Sequence, residues 1–184
     1  ILGYGSSNDG TFTVSDGSAT TGSNLYVGFY GTGAVNMTGG SIDVGSTFGI
    51  AHHSGSTGDV QLDGGTITCS SFSMSGGATM DIDGGILVID GDVTSTINTY
   101  INNGWLTAYD GNGTPDVDYN VTNPGKTTVK VDALVTVPNV VDQSQTTAES
   151  DIDSAGLVIG VITNSYSSSV SAGDVISQNP TGGT

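Results

Sequence analysis

Val35-Asn36-Met37-Thr38-Gly39-Gly40-Ser41-Ile42-Asp43-Val44 alternates apolar and polar residues, turns at a glycine pair, and alternates again. The phrase returns as Val60-Gln61-Leu62-Asp63-Gly64-Gly65-Thr66-Ile67-Thr68-Cys69 and as Met80-Asp81-Ile82-Asp83-Gly84-Gly85-Ile86-Leu87-Val88-Ile89. A degenerate earlier copy is Phe12-Thr13-Val14-Ser15-Asp16-Gly17, so the turns recur at spacings of 23, 25 and 20 residues. Alternation with period two is the mark of a strand with one buried face. A repeat of this length is the mark of a solenoid, whose units bury their apolar sides only against neighbours. A third strand completes each unit, holding Leu25 and Val27, Phe48 and Ile50, or Phe72 and Met74. The fold class predicted is all-β: a short right-handed parallel β-helix of three strands per rung, rungs about 4.8 Å apart. Val35 is expected over Val60 and Ile42 over Ile67. A β-sandwich would also alternate, but a turn at a fixed phase favours the helix.

Composition supports strand and turn, with 30 glycines and 4 prolines in 184 residues. The charge balance is 18 acids against 2 bases, Lys126 and Lys130, a net charge of -16. Such a surface excludes DNA, RNA and anionic membranes as partners and leaves neutral or cationic ones. The single Cys69 forbids an internal disulfide, and its place in the alternation predicts a small buried side chain. No stretch has the length of a membrane span. Ile1-Leu2-Gly3 resembles no initiation or signal segment, and the chain is expected to be a piece of a larger secreted protein.

An open solenoid end would template edge pairing. Residues 97–131 are read as the strands of a capping hairpin that closes it: Ile101 to Tyr109, Val117 to Val121 and Thr127 to Val131. Trp105 and Tyr109 are expected on one face, as a lid over the core. Residues 1–131 resemble the glycine-rich β-helical segments of large secreted bacterial proteins, including autotransporter-like and polysaccharide-degrading ones.

After a linker at 132–136, residues 137–184 resemble the PASTA domain. The matching residues are Val137-Pro138-Asn139-Val140-Val141, Ala148, Ile152, Ala155-Gly156-Leu157, Gly160, Gly173, Val175-Ile176-Ser177-Gln178, Pro180, Gly183 and Thr184. The likeness implies a small α+β unit, one helix over about Thr146 to Ser154 packed on a three-stranded sheet. Ser144 can cap that helix, Ala148, Ile152 and Ala155 share a face, and Gly156 can end it. Asp142 stands where the family usually has glycine, and the last strand is expected to be missing. In kinases and penicillin-binding proteins the module is associated with cell-wall fragments. Here it is expected to act as a spacer.

Long β-helices host lyases, whose chemistry uses an arginine or lysine beside an acidic sugar. This chain has no arginine, and both lysines fall in the terminal hairpin. Asp59/Asp63, Asp81/Asp83 and Asp90/Asp92 are carboxylate pairs of the kind that glycoside hydrolysis needs. Asp81 and Asp83 alternate with Met80 and Ile82, so they are expected to face water with ordinary pKa values, which argues against an enzyme. His52-His53 is a poor chelate if it lies in a strand. Asp110, Asn112, Asp116 and Asp118 space oxygen atoms somewhat like a calcium loop, without its sixth-position glycine or closing glutamate. No other cofactor is indicated.

Aligning the third strands puts Gly28-Phe29-Tyr30 over Ala51-His52-His53, with Tyr26 one outward residue earlier. Tyr26, Phe29, Tyr30, His52 and His53 are therefore candidate carbohydrate-binding residues, since flat rings on a rigid edge suit the C–H faces of pyranoses. The same rings could instead merely shield the corner. The function expected is a non-catalytic extracellular module that binds a neutral plant or algal polysaccharide, such as xylan or another β-glycan. Its catalytic partner would lie in the same polypeptide. The alternative is a structural or adhesive stalk without a sugar ligand.

Overall fold

The computed structural model describes residues 1–133 and 135–183. It divides into two units, Ile1–Ala133 and Leu134–Thr184. Thr184, part of the family likeness, and Leu134, in the expected linker, lie outside the described residues.

The first unit is a β-solenoid. Strands β1 (Asp9–Val14), β2 (Ser18–Thr21) and β3 (Leu25–Val27) make the first rung. The long β4 (Thr32–Ile50) and β5 (Thr57–Met74) each run round their corners as one strand. β6 (Ala78–Ile82) and β7 (Ile86–Asp90) continue the stack. β1, β2 and β3 all pair with β4 in parallel, β4 pairs with β5, and β5 with β6 and β7, again in parallel.

The register is the one that the alternation predicts. Phe12, Val35, Val60 and Met80 form one column, and Val14, Met37, Leu62 and Ile82 the next. Across the glycine turn, Ala19, Ile42, Ile67 and Leu87 align. Leu25, Phe48 and Phe72 align along the third side, followed by Val27, Ile50 and Met74. These columns meet in a single core, most of it fully buried. Stacking like on like lets each rung bury what no rung could bury alone. Gly17, Gly40 and Gly65 repeat a left-handed conformation at the turn, with φ of 78°, 75° and 80°. Cys69 lies in this core, and burial, followed by the Asp90 charge, pushes its thiol up to about 12.

The closing segment differs from the expected strands. Residues Thr94–Asn102 form helix α1, with Ile97 fully buried and Tyr100 and Ile101 packed against the core. Apolar positions at 97, 100 and 101 give a helical stripe. The lid is Tyr100 and Trp105, stacked at 6.0 Å, with Tyr100 edge-on to Phe72. Tyr109 is not part of it: it begins a 3-10 turn, Tyr109–Gly111, and its hydroxyl donates to the Asp132 carbonyl. β8 (Leu106–Ala108) adds a further parallel strand to β6. β9 (Asp116–Tyr119) and β10 (Lys126–Lys130) then form an antiparallel hairpin on β7.

In the second unit, helix α2 (Gln145–Ser154) begins where expected. The Ser144 hydroxyl accepts from the Thr147 amide, and Gly156, at φ 73°, ends the helix with the Leu157 amide bonded to the Ile152 carbonyl. Asp142 has φ 65°, the left-handed conformation that glycine takes most easily and aspartate tolerates. The implied three-stranded sheet is not present among the described residues. An isolated bridge, Ser144 to Asp174, and hydrogen bonds such as Asp142 amide to Val175 carbonyl, Val175 amide to Gln143 carbonyl and Gly183 amide to Val137 carbonyl join the two ends of the unit. Gly160 interrupts the run Leu157–Ile162, in which Leu157 is half-buried while Val158 and Val161 are 94% and 93% exposed.

Candidate functional site: a ring ladder on one corner

The third strand of each rung ends in a sharp corner. Gly28 has φ 76° and Ala51 φ 54°, and the preceding Gly3 has φ 62°. A Cβ at Gly28 would meet the Thr57 carbonyl oxygen at 2.0 Å, so only glycine fits there. The amides of Ala51, His52 and His53 donate to the carbonyls of Val27, Gly28 and Phe29, which fixes the corner register.

That register brings the five ring residues together. His52 stacks on Phe29 with centroids 5.0 Å apart and planes 14° from parallel. His53 stacks on Tyr30 at 4.1 Å and 6°. Tyr26 touches His52 at 4.1 Å and Phe29 at 5.2 Å. Its ring lies over Gly49, where a Cβ would meet it at 2.7 Å. Asn24 anchors the phenol, donating to the Tyr26 hydroxyl while accepting from the Thr47 amide.

Tyr4 is a sixth member, stacked on Phe29 at 5.8 Å and 7°. Its signal was in the sequence: Leu2-Gly3-Tyr4 has the same form as Val27-Gly28-Phe29, and Leu2 pairs with Val27 in parallel. The ladder is therefore Tyr4, Phe29, His52 in one column and Tyr30, His53 beside it. Tyr4 is 64% exposed and Tyr30 46%, and His52 is exposed as well.

The histidines lie in a turn, with ring centroids only 4.7 Å apart. Burial, and then the neighbouring His53, lowers the pKa of His52, so its imidazole is neutral at pH 7. Among the described residues no carboxylate pairs with either ring.

The carboxylate pairs behave differently from the expectation of solvated acids. Asp81 is only 9% exposed, covered by the Tyr109–Gly111 turn. It accepts from the Thr107 hydroxyl and from the Asp110 amide at 3.0 Å, and Asp83 accepts from the Tyr109 amide at 2.8 Å. Burial, then the hydrogen bond and charge of Asp81, raise Asp83 to about 6. Burial alone would raise Asp81 too, but its bonds from Asp110, Thr107, Asp83 and Gln61 outweigh that and hold it low. The two carboxyls are thus pushed apart in pKa, Asp81 down and Asp83 up. Their acceptors are engaged by a turn whose Tyr109 and Asp110 have φ of 52° and 53°. The pair clamps a strained turn. The other pairs are also engaged: Asp59 by Thr79, Asp63 by Gln61, Asp90 by Lys126 and Asp92 by Thr94.

The calcium-like loop does not gather its oxygens. Asn112 turns its amide to the Tyr109 carbonyl, Asp116 pairs with Lys130 at 3.6 Å, and Asp118 accepts from Thr122 and Val121. Among the described residues no three His, Cys, Asp or Glu side chains are grouped to hold a metal. Asp110 contributes its amide to Asp81 instead.

Residues 135–184 match the PASTA domain family. PASTA domains occur in the extracellular parts of bacterial proteins. No helix among the described residues is long and apolar enough to cross a membrane. No curated protein and no solved structure matches the chain.

Proposed function

We propose that the chain is a non-catalytic, secreted carbohydrate-binding module, a short right-handed parallel β-helix followed by a PASTA domain. Its ligand is a neutral polysaccharide such as xylan or another β-glycan, and it serves a catalytic domain elsewhere in the parent polypeptide. The observation that carries this reading is the ring ladder. Six rings are held on hydrogen-bonded rungs, with Tyr4, Tyr30 and His52 open to water. Ring faces and edges next to polar residues suit sugars, and a net charge of -16 favours an uncharged glycan over a uronate. That each carboxylate pair is bonded within the chain supports a binding role over hydrolysis.

The alternative is a stalk without a ligand. It is favoured by one feature of the same ladder: Phe29 and Tyr30 turn faces to His52 and His53, so part of the ring area stabilises the corner itself. Affinity electrophoresis through gels containing xylan or mixed-linkage β-glucan separates the two. Tyr30→Ala and His53→Ala are each expected to weaken retention by about 1–3 kcal/mol, by analogy with stacking of bases on aromatic rings. Retention of both variants at the wild-type level would remove the ladder as the site.

A further inference from the structure

Tyr26 is held in the ladder by two devices of its own. The first is its floor. Gly49 follows Tyr26 in register and alternates with the buried Phe48 and Ile50, so it lies on the outward side of β4. A Cβ there would meet Cδ1 and Cε1 of the Tyr26 ring at 2.7 and 2.9 Å, and the Ser73 hydroxyl at 3.2 Å. For every other glycine of β4 and β5, the first atom that a Cβ would meet belongs to the backbone. Glycine weakens a strand interior and marks a place where something approaches closely. At position 49 the group that approaches is the Tyr26 ring, not the solenoid backbone.

The second device is Asn24, just before β3. Its Oδ1 accepts from the Thr47 amide at 3.1 Å, and its Nδ2 donates to the Tyr26 hydroxyl at 3.1 Å. A backbone amide needs an acceptor, which Nδ2 is not, so Thr47 settles which end of Asn24 meets the phenol. The phenol oxygen is therefore the acceptor towards Asn24. A phenol keeps its O–H in the plane of the ring, so the proton points to the side away from Asn24. Among the described residues that proton has no acceptor, and no other phenol of the ladder is held by a side chain.

We propose that the Tyr26 hydroxyl is the oriented hydrogen-bond donor of the glycan site, reading an ether oxygen of the sugar chain, with Asn24 as the residue that aims it. This rests on the carbohydrate-binding reading above and names its polar contact. A hydroxyl free to rotate can give or take a hydrogen bond, so it does not discriminate. A donor fixed outward pairs only with an acceptor, and the ring and glycosidic oxygens of a polysaccharide are acceptors that carry no proton. A ring that only shielded the corner would need neither the hydroxyl nor Asn24, since phenylalanine does that work at position 29, 5.2 Å away. Seating the phenol in advance spares the binding step the cost of ordering it.

Two substitutions change the polarity of this contact and little else. Tyr26→Phe removes the hydroxyl and keeps the ring on Gly49. Asn24→Asp keeps the shape and the acceptor for the Thr47 amide, but its second oxygen takes the phenol proton. Asn36→Asp adds the same charge at an exposed position elsewhere on the solenoid. These variants and wild type are compared at pH 7 on gels containing xylan or mixed-linkage β-glucan and on plain gels, with melting temperatures measured alongside. Wild type and Asn36→Asp are expected to be retained equally. Tyr26→Phe and Asn24→Asp are expected to be retained about five- to tenfold more weakly at wild-type melting temperatures. Should Asn24→Asp melt early, Tyr26→Phe carries the test. Wild-type retention of Tyr26→Phe overturns the donor. Loss in Tyr26→Phe with wild-type retention of a stably folded Asn24→Asp overturns the fixed direction and the ether oxygen. Equal losses in Asn36→Asp and Asn24→Asp assign the effect to charge and overturn the aiming by Asn24. Each of these results leaves the carbohydrate reading standing, whereas a wild type retained by neither polysaccharide overturns both.

Discussion

Replacing Val60 with aspartate tests the stacking directly, because Val60 is fully buried between Val35 and Met80. The substitution removes the burial of a valine, about 1.5–3 kcal/mol. It also places a carboxyl where no donor faces it. An ionised carboxylate there would cost more than protonating it, so the group takes up a proton. At pH 7 that costs about 4 kcal/mol for a side chain with an ordinary pKa near 3.9, at about 1.36 kcal/mol per pKa unit. The combined loss, about 6–7 kcal/mol, is of the order of a whole domain's stability. Asn36→Asp is the matched control: Asn36 is exposed, one position beyond the Val35 that stacks on Val60, and its change is expected to stay within about 0.5 kcal/mol. Urea titrations followed by circular dichroism at pH 7 and pH 4 give both numbers. Val60→Asp should show no cooperative transition at pH 7 and recover part of it at pH 4, where protonation is nearly free. Wild-type-like unfolding of Val60→Asp at pH 7, or equal losses in the two variants, would refute the register.

Asp83 binds its proton more tightly folded than unfolded, being raised to about 6 from 3.8, so its contribution to stability falls as pH rises from about 4 to about 6. Asp83→Asn should remove that decline, and urea midpoints of both proteins across this range will show it; parallel pH profiles would disprove the raised Asp83 pKa. Ser144→Ala removes the hydroxyl that accepts from the Thr147 amide, and is expected to cost helix α2 about 1 kcal/mol, seen as faster amide exchange at residues 145–148. Unchanged exchange there would show that the cap contributes nothing.

The core columns were legible because inward positions carry Val, Ile, Leu, Met or Phe at a fixed phase, and water excludes any other register. The ring corner was legible for the same reason, since whatever follows Val27 and Ile50 must superpose when those two do. What the alternation does not encode follows from distance or from composition. Helix α1 is built of Thr, Ser and Asn around Ile97, Tyr100 and Ile101, so weak intrinsic propensity concealed a clear helical spacing. The burial of Asp81 depends on a turn 29 residues further along the chain, which local alternation does not reveal. The spacing of 20 residues between the last two turns carried information of its own. The shortening falls mainly on the corner at 75–77, the place where the ladder ends.

The most direct test of the account is a titration of the histidine and tyrosine ring protons by NMR with xylotetraose and with cellotetraose. Saturable shifts at His52 and His53, with a smaller one at Tyr30 and none at Tyr100 or Trp105, are the predicted result for at least one of the two sugars. Shifts confined to Tyr100 and Trp105, or no shift at any ring with either sugar, would contradict it.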